Sequence, residues 1–144
     1  MENSSNAFAD GGYRTYWPMA RAAHLDLNLV GSPRVNLLLI GTDEVVRAAL
    51  NRLMPTLRGP LQTWCPGAPL PLASPAQSGT LILRDVEYLS DIDQYRLLKW
   101  LETSLGRMQI VSTTTALLRT RVEAGLFDEK LFYKLNVGCM DLTD

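Results

Sequence analysis

Residues 79–105 read GTLILRDVEYLSDIDQYRLLKWLETSL, and the architecture of the chain is set out in this stretch. After Gly79 the run Thr80, Leu81, Ile82 and Leu83 is short and apolar, the pattern of a buried strand. Ser90 follows, with Asp93 three residues on, a helix start resembling a capping box. Leu97, Leu98, Leu101 and Leu105 then recur at helical spacing and make one apolar face. Gly106 ends the helix.

The same order, strand then helix, is repeated on either side. Upstream, residues 35–40 (VNLLLI) form an apolar run that stops at Gly41. Thr42 is placed to cap a helix, with Asp43 and Glu44 in its first turn, where negative charge suits the helix dipole. Val46, Ala49, Leu50 and Leu53 recur at helical spacing, and Pro55 ends the helix. Between these two units, residues 60–75 hold five of the eight prolines. Residues 61–64 there read as a short strand and residues 66–78 as an irregular loop. Downstream, residues 108–112 read as a strand, 115–124 as a helix ended by Gly125, and 128–136 as a helix burying Leu131, Phe132 and Leu135. Residues 138–142 read as a last strand. Alternating strands and helices predict an α/β fold: a three-layer parallel sheet of about five strands, covered on both faces. No internal repeat is visible.

Composition limits the function classes. The 144 residues are 47% hydrophobic and 20% charged, with net charge −1, which suits one folded domain with a single core and excludes global disorder. Residues 1–20 read as a tail, of which Tyr13, Tyr16 and Trp17 are candidates for docking on the body, and residues 21–144 as the domain. A net charge near zero argues against broad electrostatic binding of nucleic acid. No apolar run approaches the roughly 18 residues of a membrane span, and no signal-peptide pattern opens the chain, so the expected compartment is the cytoplasm. Cys65, Cys139 and the single histidine, His24, have no zinc spacing and no nucleophile–base spacing; buried free thiols are the simpler expectation.

In parallel sheets, ligands gather at the carboxyl ends of the strands. Three such ends matter: Gly41 to Glu44, Arg84 to Glu87, and Thr113 to Thr115. The first has a strand, a glycine and a helix start, yet no G-x-x-x-x-G-K-[ST] pattern. Val46 and Arg47 stand at the places of its second glycine and lysine. The three lysines of the chain, Lys99, Lys130 and Lys134, are all far along the sequence. At the second end, Arg84 occupies the place directly after the apolar run where an acid would hold a metal. At the third, three hydroxyl residues beside a helix start are expected to serve as caps.

Taken together, residues 79–137 resemble the central AAA+ domain of sigma-54-dependent, NtrC-type transcription activators. Residues 79–86 (GTLILRDV) look like the family's G-T-L-F-L-D-E-I, residues 94–101 (QYRLLKWL) like Q-x-x-L-L-R-x-L, and residues 125–137 (GLFDEKLFYKLNV) like G-x-F-R-x-D-L-Y-Y-R-L-N-V. The resemblance implies a P-loop NTPase core of the AAA+ kind. It also implies correspondences at the catalytic places, and there the chain departs from the pattern. The phosphate loop is shortened and its lysine is gone. The metal-binding acid corresponds to Arg84, the water-activating acid to Asp85 and the sensor asparagine to Thr115. The arginines that reach a neighbouring subunit's nucleotide correspond to Leu126 and Asp128. In place of the sigma-contacting G-A-F-T-G-A loop stands the proline-rich stretch from Trp64 to Ser78. With the chain ending at Asp144, the expectation is a domain without the helical lid and without an attached receiver or DNA-binding unit.

The scaffold residues are kept and the charged catalytic ones are not. The expectation is therefore a degenerate, non-catalytic AAA+-like regulatory or protein-interaction module in transcription regulation or signalling. It has no catalytic residue, no metal and no cofactor. Gly41, Thr42, Asp85 and Thr115 are vestigial nucleotide-contact candidates. Its expected partner is a protein, an AAA+ activator or a second copy, rather than nucleic acid or membrane, and it is expected as a monomer or dimer rather than a hexamer. The alternative is a nucleotide-binding sensor without hydrolysis, taking phosphate at Gly41, Thr42 and the helix start.

Overall fold

The computed structural model describes residues 35–72, 74, 77–104 and 107–143. The expected tail, the beginning of the domain from residue 21 with His24, and the helix-ending Leu105 and Gly106 lie outside the described residues.

Five strands form one parallel sheet in the order β2-β3-β4-β1-β5. They are β1 (Leu37–Ile40), β2 (Leu61–Trp64), β3 (Gly79–Leu83), β4 (Met108–Thr114) and β5 (Gly138–Asp141). Four α-helices accompany them: α1 (Asp43–Leu53), α2 (Asp91–Ser104), α3 (Leu118–Glu123) and α4 (Glu129–Leu135). Side chains alternate across a strand, so a strand buried on both faces must be apolar at every position. β1 meets that requirement. Leu38 and Ile40 join the core formed with α2, α3 and α4, while Leu37 and Leu39 join the core formed with α1. The three expected layers are thus one helix, the sheet, and three helices. Among the described residues no helix is long and apolar enough to cross a membrane.

Asn36 fastens the entry to β1. Its side-chain oxygen accepts from the Ile110 N–H at 2.9 Å, its amide donates to the Lys134 carbonyl at 3.0 Å, and its backbone carbonyl accepts from Gly138 N–H at 2.9 Å. One residue therefore ties β4, the end of α4 and β5 to the central strand.

Most expected element limits hold, with informative exceptions. Thr42 caps α1, its hydroxyl accepting from Val45 N–H, and a short 3-10 turn at Met54–Thr56 containing Pro55 follows Leu53. Ser90 Oγ accepts from Asp93 N–H at 3.2 Å at the start of α2. The buried face of α2 adds Gln94 and Trp100 to Leu97 and Leu98, whereas Leu101 is only partly buried. The Trp100 ring and the bonded Gln94 amide make a polar-looking helix side a packing face. The loop after β2 is irregular where described, and the Trp64 indole N–H donates to the Ala68 carbonyl at 2.7 Å. Leu70 and Leu72 from that loop pack on the core.

The clearest correction concerns residues 113–117. β4 continues to Thr114, which pairs with Ile40, and α3 begins only at Leu118 rather than at Thr115. The Thr114 hydroxyl accepts from Ala116 N–H at 3.1 Å and donates to the Ala116 carbonyl at 2.8 Å, closing a local turn that competes with helix. The three threonines are not caps of α3, whose preceding residue, Leu117, supplies no side-chain cap. Gly125, with φ +78°, ends α3 as expected.

Phe132 on α4 is 1% exposed, and its neighbour Tyr133 is 57% exposed. Phe132→Ala is expected to lower unfolding stability by about 3–5 kcal/mol, and Tyr133→Ala by at most about 1 kcal/mol; urea-unfolding midpoints of the two variants check the contrast.

Candidate functional site

Because every strand runs the same way, the last residues of β1, β3 and β4 come out side by side at one edge of the sheet. The four candidates from the sequence are all there. Gly41 N–H donates to the Thr114 carbonyl at 3.1 Å, joining the ends of β1 and β4. A Cβ on Gly41 would lie 3.2 Å from Leu142 Cβ, so glycine is needed here for close packing against the chain leaving β5. Thr42 spends its side chain on capping α1.

The next residue alters the electrostatics of this edge. The Asp43 carboxylate stands in the first turn of α1, where a ligand anion would otherwise enjoy the positive end of the helix. Arg84, leaving β3, brings its Nη2 to 3.2 Å from Asp43 Oδ1, and Arg47 holds the other oxygen at 2.5 Å. Two cations therefore share one carboxylate at the mouth of the site, and the buried Arg84 Nε has no hydrogen-bond partner among the described residues. Sequence reasoning placed these residues separately and missed the pairing, because nothing in their spacing brings residues 43 and 84 together.

Asp85 adopts a left-handed conformation, φ 56° and ψ 56°, and its N–H donates to Thr113 Oγ1 at 3.0 Å. Aspartate tolerates this region better than most residues. Burial raises the Asp85 pKa, the nearby Glu87 and Asp43 carboxylates raise it further, and Arg84 opposes them. Thr115 turns toward Glu87: its N–H and its hydroxyl donate to Glu87 Oε2 at 3.2 and 2.8 Å. Glu87 is 5% exposed, and its second oxygen has no hydrogen-bond partner among the described residues. Glu87 was not singled out in the sequence; its only signal was a second acid two residues beyond Asp85. Strand geometry thus brings Gly41 and Thr42 to the Thr114 end of β4, and places Asp85, Glu87 and Thr115 beside them as one polar cluster.

These residues do not fit a magnesium nucleotide. The helix start already holds a carboxylate, the β3 end carries a guanidinium where a cation needs an acid, and the lysines sit on α2 and α4. No group of three or more His, Cys, Asp or Glu among the described residues is placed to hold a metal ion. Of the other two correspondences, Leu126 is exposed, and Asp128 caps α4, its Oδ1 accepting from Leu131 N–H at 2.9 Å. Cys65 is exposed, contrary to the expectation of two buried thiols, because it follows edge strand β2. Cys139 lies in β5 at the opposite edge, and burial, aided by Asp141, pushes its thiol well above the usual range.

Comparison with known proteins agrees with this fold. The profile of the sigma-54 interaction domain family matches residues 26–144. Among solved structures, NtrX from Brucella abortus in complex with ADP superposes with TM-score 0.59 at 19% identity, over 81% of this chain and 34% of that one. The P-loop NTPase domain of a sigma-54 activator from E. coli gives TM-score 0.56 at 18% identity, over 74% of this chain and 95% of that one. A chain of the Drosophila ORC bound to DNA gives TM-score 0.54 at 13% identity, over 92% and 90%. The protein thus spans about a third of NtrX. No curated sequence matches it.

The raised pKa of Asp85 has a sign that can be measured. A carboxylate whose folded pKa lies above its unfolded one disfavours the folded state as pH rises through that interval. Asp85→Asn keeps the left-handed turn and removes the charge. The variant is expected to unfold at a higher midpoint than wild type at pH 7, with the difference shrinking as pH falls toward the ordinary value of 3.8; thermal melts across that range check it.

Proposed function

The chain belongs to the sigma-54 interaction domain family, and from that premise we propose that it acts as a non-catalytic AAA+-like module in transcription regulation or signalling, working by binding a protein. The observation that carries this reading is the Arg84–Asp43 ion pair, 3.2 Å long, at the edge where phosphate and metal would have to sit. Phosphoryl transfer needs cations aimed at the phosphates and an acid holding the metal. Here the guanidinium from β3 takes the metal's side of the site, and a carboxylate takes the phosphate's side. Leu126 has no charge for stabilising a transition state in a neighbouring subunit, and Asp128 has the opposite one. Fold likeness alone would point to an ATPase, but the chemistry of the site is the better guide.

The reading also accounts for what is retained. Residues 79–86, 94–101 and 125–137, which carry the resemblance, supply the buried β3, the Gln94, Leu97 and Leu98 side of α2, and Leu131, Phe132 and Leu135 of α4. Without ring contacts built around a nucleotide, the chain is proposed to be a monomer or dimer.

Two measurements test the proposal together. Calorimetric titration with ATP and ADP is expected to be flat, and phosphate release from ATP is expected to stay at the level of a protein-free control. Heat of binding without phosphate release would instead establish a nucleotide sensor, and turnover would overturn the non-catalytic reading. Light scattering is expected to report a monomer or dimer with and without ATP; a six-fold particle would refute that part.

A further inference from the structure

The outward side of α2 carries a short ordered row. Asp91, Tyr95 and Lys99 stand at i, i+4 and i+8, so their side chains follow one another along one side of the helix. All three residues are exposed. Ile92 lies beside the row, and Tyr88 ends the 3-10 turn (Val86–Tyr88) just before α2. Tyr88, Ile92 and Tyr95 are 65%, 65% and 59% exposed, the highest values among the large apolar side chains of the described residues. Side chains of this kind so close together make a patch, and on a folded protein such a patch marks a contact surface.

The order of charges in the row selects what covers it. The acid stands toward the N-terminal end, the cation toward the C-terminal end, and the ring between them. A two-fold axis through Tyr95 sets a second copy of α2 antiparallel to the first. Asp91 of each copy then meets Lys99 of the other, Ile92 meets the apolar stem of that lysine, and the two Tyr95 rings meet at the axis. A parallel pairing would set Asp91 on Asp91 and Lys99 on Lys99. The antiparallel one also brings each helix start beside the other's end, which the helix dipoles favour. Asp91 has no ion-pair partner among the described residues. Lys99 already meets Glu102 at 3.7 Å, and its Nζ lies 5.5 Å from the Tyr95 ring centroid. Both contacts are at the surface, and an ammonium has three N–H donors, so a carboxylate adds to them without replacing them. We propose that this side of α2 is a self-contact, through which two copies of the chain pair antiparallel, Asp91 to Lys99 and Tyr95 to Tyr95.

The proposal rests on the reading that the chain works by binding a protein, and it names a second copy as that protein. Asp91 and Lys99 lie about 12 Å apart along the helix axis, so both ion pairs and the rings fit within one contact. A single helix pair of this length buries less than the about 1,600 Å² of a standard interface, so the dimer is expected to be weak and to form as concentration rises.

Sedimentation equilibrium of the full chain tests it. Wild type is expected to pass from one chain to two as concentration rises. Asp91→Lys leaves two cations in the row and Lys99→Glu leaves two acids, so each variant alone is expected to pair with itself about tenfold more weakly. An equimolar mixture of the two variants is expected to recover the pairing, because every cation of one chain then faces a carboxylate of the other. Recovery on mixing cannot come from a folding defect. Wild type that stays a single chain at every concentration would overturn the proposal. So would variants that pair with themselves as wild type does, or a mixture that stays apart. A single chain would leave the non-catalytic reading standing, whereas turnover of ATP would refute that reading without changing the mass.

Discussion

Strand β1 has no polar side, and it can exist only as the middle of something. Its four residues are all buried, two toward each face, with β4 hydrogen-bonded along one edge and β5 along the other. A strand of this kind forces helices onto both faces, since either face left open would put leucine or isoleucine into water at a cost of about 1.5–3 kcal/mol per side chain. It also forces the connections to be crossovers, because parallel neighbours cannot be joined by a tight hairpin. The three layers follow from that, and so does the gathering of all strand ends at one edge.

At that edge the chain places charges of its own. A helix start beside a parallel sheet is a ready anion site, and here a carboxylate of the chain itself stands in the first turn with Arg84 and Arg47 around it. The Asp43 side chain is half exposed, so the ion pairs stabilise the fold by about 1 kcal/mol at most. Their consequence is electrostatic rather than structural: a carboxylate at the helix start draws two guanidinium groups to this edge. Behind them, Asp85, Glu87, Thr113 and Thr115 form a cluster in which the hydroxyl and backbone donors serve the carboxylates and the strand ends.

The packing around Gln94 shows the complementary case. Gln94 is buried, and its whole amide is committed to holding α2 to the turn before α4. Above it Tyr95, Leu126, Asp91 and Asp128 are exposed, with Asp128 capping α4 and Lys99 Nζ 5.5 Å from the Tyr95 ring centroid. Polar residues used for packing and apolar residues left at the surface both depart from the usual distribution. In this chain the two departures meet at one place, the start of α2.

The pattern of residues was sufficient for the layered parallel sheet, for the caps at Thr42 and Ser90, and for the stop at Gly125. These are local matters of periodicity, capping and side-chain chemistry, and neighbours in sequence carry them. The start of α3 was misplaced because Thr114 closes its turn through its own hydroxyl, a choice that depends on Thr114 also pairing with Ile40 of β1. The burial of Gln94 and Trp100, the Thr115–Glu87 bonds and the Asp43–Arg84 pair were not legible, because each joins residues far apart in the chain. Which residues are polar or apolar is written in the order of amino acids; which of them face each other depends on the strand order β2-β3-β4-β1-β5, and that order is selected by the simultaneous burial of both faces of the sheet.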